Sequence, residues 1–153
     1  MRRGHDRGFS LVELVVTVGI MAFAIVSMMQ LYIYTSIQTE LARHQTAAII
    51  EAQNKIEEIR NYTYDNIVTD YSLGGSLGNT FNLTLLDGKG VIYIDNSNTE
   101  LLVLEAVVSW EDKLNRIVGE DLDLDGVLDA GEDINGNAKI DSPARVMSMV
   151  TRR

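Results

Sequence analysis

Positions 14 to 39 form an unbroken run of 26 residues without a charge, and the run is apolar on all sides rather than along one stripe. As a helix it would extend about 39 Å, enough to cross a hydrocarbon layer of about 30 Å. From Glu40 the pattern becomes amphipathic. Leu41, Ala48, Ile49, Ala52, Ile56 and Ile59 recur at helical spacing, leaving Arg43, Gln45, Glu51, Lys55 and Glu58 for other faces. No proline interrupts the stretch from Phe9 to Arg60, the single proline being Pro143. One long helix over 9–60 is therefore predicted, membrane-embedded over about 9–36 and amphipathic over about 37–60. Gly19 is either a kink or a small residue for close helix packing.

Residues 61–80 read as a polar connector rich in turn formers. Strand-like runs follow at 81–86 and 91–94, joined by Asp87-Gly88-Lys89-Gly90 as a hairpin signal. Residues 101–110 give the longest strand candidate and 146–150 the last. Four short strands cannot bury both faces of a sheet, so the amphipathic half of the helix is expected to cover one of them. The predicted class is α+β, with an extracytoplasmic sheet domain over 61–153. Trp110 is assigned to core or subunit packing by default, with a partner- or carbohydrate-binding surface as the alternative.

Composition narrows the chemistry. Cysteine is absent, which removes disulfides, thiolate nucleophiles and iron–sulfur clusters. The two histidines, His5 and His44, lie far apart and leave Ser-His triads and His-based metal sites little to work with. No enzymatic role is expected. The net charge is −9, and no basic face is evident, so direct nucleic-acid binding is not expected either.

The N-terminal segment carries the sharpest signal. Three arginines (Arg2, Arg3, Arg7) precede the apolar run and none directly follows it, which places the N-terminus on the cytoplasmic side. A secretory signal peptide cut after Ala24 is the competing expectation. It is disfavoured by Glu13 within the apolar region and by the apolar run continuing through Ile33. A carboxylate inside a membrane helix costs about 2.5–3.5 kcal/mol and tends to mark a pairing partner or a function. If the chain were cut between Gly8 and Phe9, the new α-amino group of one subunit could neutralise Glu13 of another.

Gly8-Phe9-Ser10-Leu11-Val12-Glu13-Leu14 resembles the class III signal of type IV pilins and type II secretion pseudopilins. The resemblance covers about residues 2–34. It implies removal of leader 1–8 by a prepilin peptidase, N-methylation of Phe9, and a part for Glu13 in docking the subunit into a growing filament. It also implies a pilin-like architecture, one long helix on a small antiparallel sheet. The run Lys55-Ile56-Glu57-Glu58-Ile59-Arg60, with Tyr62 and Tyr64 after it, is similar to minor subunits of that family. An ordinary amphipathic helix end is the plainer reading of the same residues.

Between Glu120 and Asp141 eight carboxylates face one lysine. Within this stretch, set as an insert over 120–142, Asp121, Asp123, Asp125, Asp129 and Glu132 fall at positions 1, 3, 5, 9 and 12 of a twelve-residue calcium loop. Gly126 falls at position 6, the Val127 carbonyl is the position 7 ligand, and Leu128 can pack underneath. The pattern repeats twelve residues on, where Asp133, Asn135, Asn137, Ile140 and Asp141 align with Asp121, Asp123, Asp125, Leu128 and Asp129. Ala138 replaces the glycine of the second copy and Ala144 its last ligand. One good Ca²⁺ site and one partial or shared site are expected, in tandem loops without helical flanks.

These readings converge on a filament subunit that sits in the inner membrane before assembly, with prepilin peptidase and other pilin subunits as partners. Two alternatives stand beside it: a secreted calcium module and a membrane-anchored calcium protein that does not polymerise.

Overall fold

The computed structural model describes residues 10–113 and 115–152. The leader and both cleavage-site residues, Gly8 and Phe9, lie outside them. Helix α1 (Leu11–Arg60) is followed by α2 (Tyr64–Tyr71) and five strands: β1 (Thr80–Asn82), β2 (Gly88–Asn98), β3 (Leu101–Asp112), β4 (Arg116–Val118) and β5 (Ala144–Thr151). The chain divides into two units, one up to Glu40 and one from Leu41 onward.

In the first unit α1 exposes its large apolar side chains from Leu11 to Ile37. Several of its hydroxyls turn back onto the helix itself. Thr17, Ser27, Thr35 and Thr39 donate to the carbonyls of Glu13, Phe23, Leu31 and Thr35, at 2.6 to 3.0 Å. A hydroxyl bonded to the turn before it presents little unsatisfied polarity to an apolar surrounding. The segment can therefore carry these residues and remain compatible with lipid.

In the second unit α1 buries Ala48, Ala52, Ile56 and Ile59. Steps of four and three put these on one face, and small residues at 48 and 52 let the helix approach the sheet closely. They pack with Ile67 and Tyr71 of α2 and with Ile92, Leu102, Leu104, Ala106, Val108 and Trp110 of the sheet. Trp110 is wholly buried, so the core assignment holds and the exposed binding surface does not. The fold is α+β and pilin-like, with a long N-terminal helix packed against an antiparallel sheet.

Several local expectations differ from the structure, beginning with the strands: β4 makes a fifth where four were expected, and the run at 81–86 is a strand only to Asn82. The connector contains α2, whose Ile67 and Tyr71 are buried under the sheet domain. Its eight residues are too short a run for a helical period to stand out. The glycines of Asp87-Gly88-Lys89-Gly90 lie inside or at the start of β2 rather than in a turn. β1 pairs with β2 as Thr80↔Val91, Phe81↔Gly90 and Asn82↔Lys89, and the connection is 83–87. The glycines serve close approach: a Cβ on Gly90 would collide with the Phe81 ring, and one on Gly88 with the Ser109 carbonyl. Finally, Glu51 is buried rather than on a solvated face.

Glu51 has a specific reason to be inside. Its carboxylate accepts the backbone N–H of Thr84 at 2.8 Å, that of Leu85, and the Thr84 hydroxyl at 3.3 Å. The 83–87 connection has no ladder of its own, so the helix supplies its acceptor. A second tie joins the helix to the end of β3, where His44 Nδ1 lies 3.2 Å from Asp112 Oδ1.

β3 is the centre of the sheet. It pairs along one edge with β2, from Gly88↔Trp110 to Asp95↔Val103. Its other edge holds two strands in line: β4 through Trp110↔Val118 and β5 through Val108↔Ala144. The insert between them thus leaves and rejoins the sheet at neighbouring positions of one strand. Replacing Glu51 by Ala removes the acceptor that fixes the 83–87 connection. The expected cost is about 2 kcal/mol, because hydrogen bonds to a charged acceptor are lost. Denaturant unfolding of the Glu51→Ala chain checks this, with an unchanged midpoint as the contrary result.

Candidate functional site

The acidic insert is closed at its neck. Glu120 N–H donates to the Asp141 carbonyl at 2.9 Å, and Asp141 N–H donates to Glu120 Oε2 at 3.0 Å. Inside the neck the chain turns twice in the same manner. Positions 4 and 6 of the first loop, Leu124 and Gly126, have φ of 59° and 83°. Their counterparts in the second loop, Gly136 and Ala138, have φ of 74° and 60°. Ala138 takes the left-handed conformation expected of a glycine, at a cost of about 1–2 kcal/mol. In the first loop Gly126 is required for a second reason, since a Cβ there would meet Thr80 Cγ2 at 2.7 Å.

The aspartates of the first loop hold its backbone. Asp121 accepts the N–H groups of Asp125 at 3.1 Å and Gly126 at 3.0 Å. Asp123 accepts Asp125 N–H at 3.3 Å, and Asp125 accepts Val127 N–H at 2.7 Å. Glu132 returns across the loop to accept Leu122 N–H at 2.7 Å and Asp129 N–H at 2.9 Å. The five carboxylates converge as two overlapping groups. Oxygens of Asp121, Asp123 and Glu132 lie within 4.8 Å of one another, as do those of Asp123, Asp125 and Asp129. Such clusters could bind a metal ion, and their all-oxygen donor set suits a hard cation.

The electrostatics point the same way. Burial raises the Asp121 carboxyl above the usual carboxylate range, opposed by the N–H bonds from Gly126 and Asp125 and reinforced by the charges of Glu132 and Asp125. Asp121 is wholly buried, and Glu132 and Glu120 are nearly so. Bringing charges of one sign together out of water is unfavourable unless a proton or a cation neutralises them.

The second loop brings together Asp133, Asn135, Asn137 and Asp141. Asp133 accepts N–H groups from Gly136, Asn137 and Ala138 at 2.7 to 3.0 Å. Asn135 and Asn137 each donate a side-chain N–H to Asp141 Oδ2, at 2.6 and 2.7 Å. Ala144, where a final ligand would stand, is buried in the main core.

Both loops are seated on the sheet face away from α1. Ile140 packs with Val91 and Val107, and Leu128 and Tyr93 lie against them. The two position 8 residues therefore meet in one small cluster, and Ile140 N–H donates to the Tyr93 hydroxyl at 2.8 Å. Burial raises the Tyr93 hydroxyl above its usual range, and the charges of Glu105, Asp141 and Asp121 add to it. Glu105, Tyr93 and Arg145 escaped the sequence reading. Tyr93 and Glu105 stand on strands that precede the insert, and Arg145 at the start of β5 just after it, and nothing local marks any of them as facing it.

At the other end of the chain, Glu13 lies in the first turn of α1. There the unpaired N–H groups and the helix dipole favour a carboxylate. The family model for the prokaryotic N-terminal methylation motif matches residues 3–29, which include Gly8, Phe9 and Glu13. The match, with the apolar helix, is consistent with the type IV pilin and pseudopilin family and with anchoring in the inner membrane before assembly. No curated protein and no solved structure matches the chain.

Ile140 is the insert's main apolar anchor. Ile140→Ala is expected to cost about 2–3 kcal/mol, from lost burial and the cavity left behind. It should also open the 119–143 segment to protease. Limited proteolysis with thermal unfolding checks both, and an insert as resistant as the native one would contradict the assignment.

Proposed function

We propose that the chain is a structural subunit, a minor pilin or pseudopilin, of a bacterial type IV pilus or type II secretion pseudopilus. The observation that carries this is the methylation motif at residues 3–29, running into a helix whose first turn holds Glu13. Prepilin peptidase would remove leader 1–8, and Phe9 would be methylated. The α-amino group of Phe9 in one subunit would then neutralise Glu13 in its neighbour as α1 leaves the bilayer for a filament core. The choice of a minor rather than a major subunit rests on the resemblance of the run from Lys55 to Arg60, with Tyr62 and Tyr64, to minor subunits, and an ordinary amphipathic helix end reads the same residues.

The test is the N-terminal sequence and intact mass of the chain from cells containing a prepilin peptidase. A mature chain beginning at Phe9 with one added methyl group is expected, and Glu13→Ala should be processed but fail to enter filaments. A chain beginning at Ile25 would make it a secreted module. An uncut chain, or a Glu13→Ala variant that assembles normally, would make it a plain anchor.

The proposal extends to Ca²⁺ as the cation of the insert. Asp121, Asp123, Asp125, Asp129 and Glu132, with the Val127 carbonyl, supply the hard oxygens. The second loop, Asp133, Asn135, Asn137 and Asp141, is its partner. The ion's work is structural: it joins carboxylates that otherwise repel and fixes the insert on Val91 and Val107, which favours folding after export. An affinity on the order of 10⁻⁴ to 10⁻³ M is sufficient outside the cytoplasm. At ten times the dissociation constant, binding adds about 1.4 kcal/mol. Thermal unfolding of the detergent-solubilised chain should therefore rise by roughly 5 °C between excess EDTA and millimolar Ca²⁺. Coincident curves would remove calcium from the account.

A further inference from the structure

Building on the calcium reading of the first loop, we infer that the second loop takes no metal ion because Arg145 is its built-in cation. The insert then has a single calcium site.

The two loops share a backbone, so backbone shape does not distinguish them. Left-handed residues stand at positions 4 and 6 of each. The first aspartate of each accepts N–H groups from its own turn, Asp121 in one and Asp133 in the other. Their charges differ. In the first loop five carboxylates converge, and among the described residues no lysine or arginine forms an ion pair with any of them. In the second loop only Asp133 and Asp141 are charged acceptors, and the sheet provides a counter-charge.

Arg145, in the first turn of sequence after the loop, belongs to β5. Its Nη1 lies 3.6 Å from Asp141 Oδ1 and 3.4 Å from Glu105 Oε1 of β3. Lys139 neutralises the other Glu105 oxygen at 3.1 Å while lying over the Tyr93 ring. Arg145 is thereby left shared between Glu105 and the loop. The remaining oxygen of Asp141 is taken by the amide nitrogens of Asn135 and Asn137. Those amides cannot turn cheaply, because their oxygens accept the N–H groups of Asn137 at 3.0 Å and Lys139 at 2.8 Å. Donors surround the carboxylate that would face an ion.

A calcium ion entering here would have to displace Arg145, reverse two amides and bind without a bidentate carboxylate at Ala144. A metal-free second loop has a use. It is seated on the sheet by Ile140 without any ion, giving the first loop a fixed neighbour while the first loop awaits its cation.

Equilibrium dialysis of the full-length, detergent-solubilised chain against radioactive Ca²⁺, up to concentrations on the order of 10⁻² M, tests this. The native chain should bind one ion and Asp123→Asn with Asp125→Asn none. Arg145→Gln should bind two, and Arg145→Lys, which keeps the charge, one. Arg145 is half exposed, so these variants should fold. Two ions on the native chain would overturn the inference, as would a single ion on Arg145→Gln or a native ion lost through Asp133→Asn but kept in the Asp123/Asp125 variant. No ion at all on the native chain would instead remove the calcium reading on which it rests.

Discussion

The sheet domain depends on the alternation of β3. Its even-numbered residues Leu102, Leu104, Ala106, Val108 and Trp110 face the helices and are buried with them. Its odd-numbered residues turn the other way, where Val107 meets Ile140 and Glu105 meets Lys139 and Arg145. A period of two in one strand thus assigns two different covers. One is an apolar helix face that continues the chain's N-terminal segment. The other is an acidic insert whose own apolar content is little more than Leu128 and Ile140 at the contact. A slip of one residue in β3 would exchange the two surfaces and bury Glu105 under α1.

The two covers are held by different physics. The helix side is sealed mainly by burial of Ala48, Ala52, Ile56 and Ile59, with Glu51 as a polar fastening at the edge. The insert side has a narrow apolar footing and relies on charge. Its neck is a backbone and carboxylate clasp between Glu120 and Asp141. Beyond the neck the loops separate by counter-charge: the second is balanced by side chains of β5 and of its own turn, the first by nothing among the described residues. A domain so divided has a core held by apolar burial and an appendage held by charge and backbone hydrogen bonds.

Much of this is legible in the residues themselves. The long helix, the class of fold and the doubled loop follow from periods of 3.6, 2 and 12, and a period needs only composition at fixed spacing. Glycine misleads where its local meaning and its tertiary meaning compete. Asp87-Gly88-Lys89-Gly90 has turn chemistry, yet Gly90 is a glycine because the Phe81 ring lies against it. Glu51 misleads for the converse reason. On a helical wheel a glutamate belongs outside, and only the unladdered connection at Thr84 and Leu85 explains why it is inside. In the insert, the first loop's ligand pattern is written in consecutive positions. Arg145 acts from β5 and Glu105 from a strand thirty-four residues before Lys139, so no reading of the insert alone contains them.

The helix up to Glu40 poses the opposite problem, since its needs cannot be met within its own unit. Its hydroxyls are satisfied by the preceding turns, and its apolar side chains require only an apolar surrounding, which lipid and neighbouring helices supply equally well. Glu13 is the exception. Its backbone carbonyl takes the Thr17 hydroxyl, while no partner for its carboxylate stands among the described residues. At the membrane surface, headgroups and water can solvate that carboxylate. Inside a bundle of apolar helices they cannot, and the carboxylate needs a counter-charge. The free α-amino group of Phe9 on a second copy or a homologous subunit would, on the pilin reading, meet that need. On the pilin reading, the residue that makes the isolated helix costly to bury is the one that makes its assembly specific.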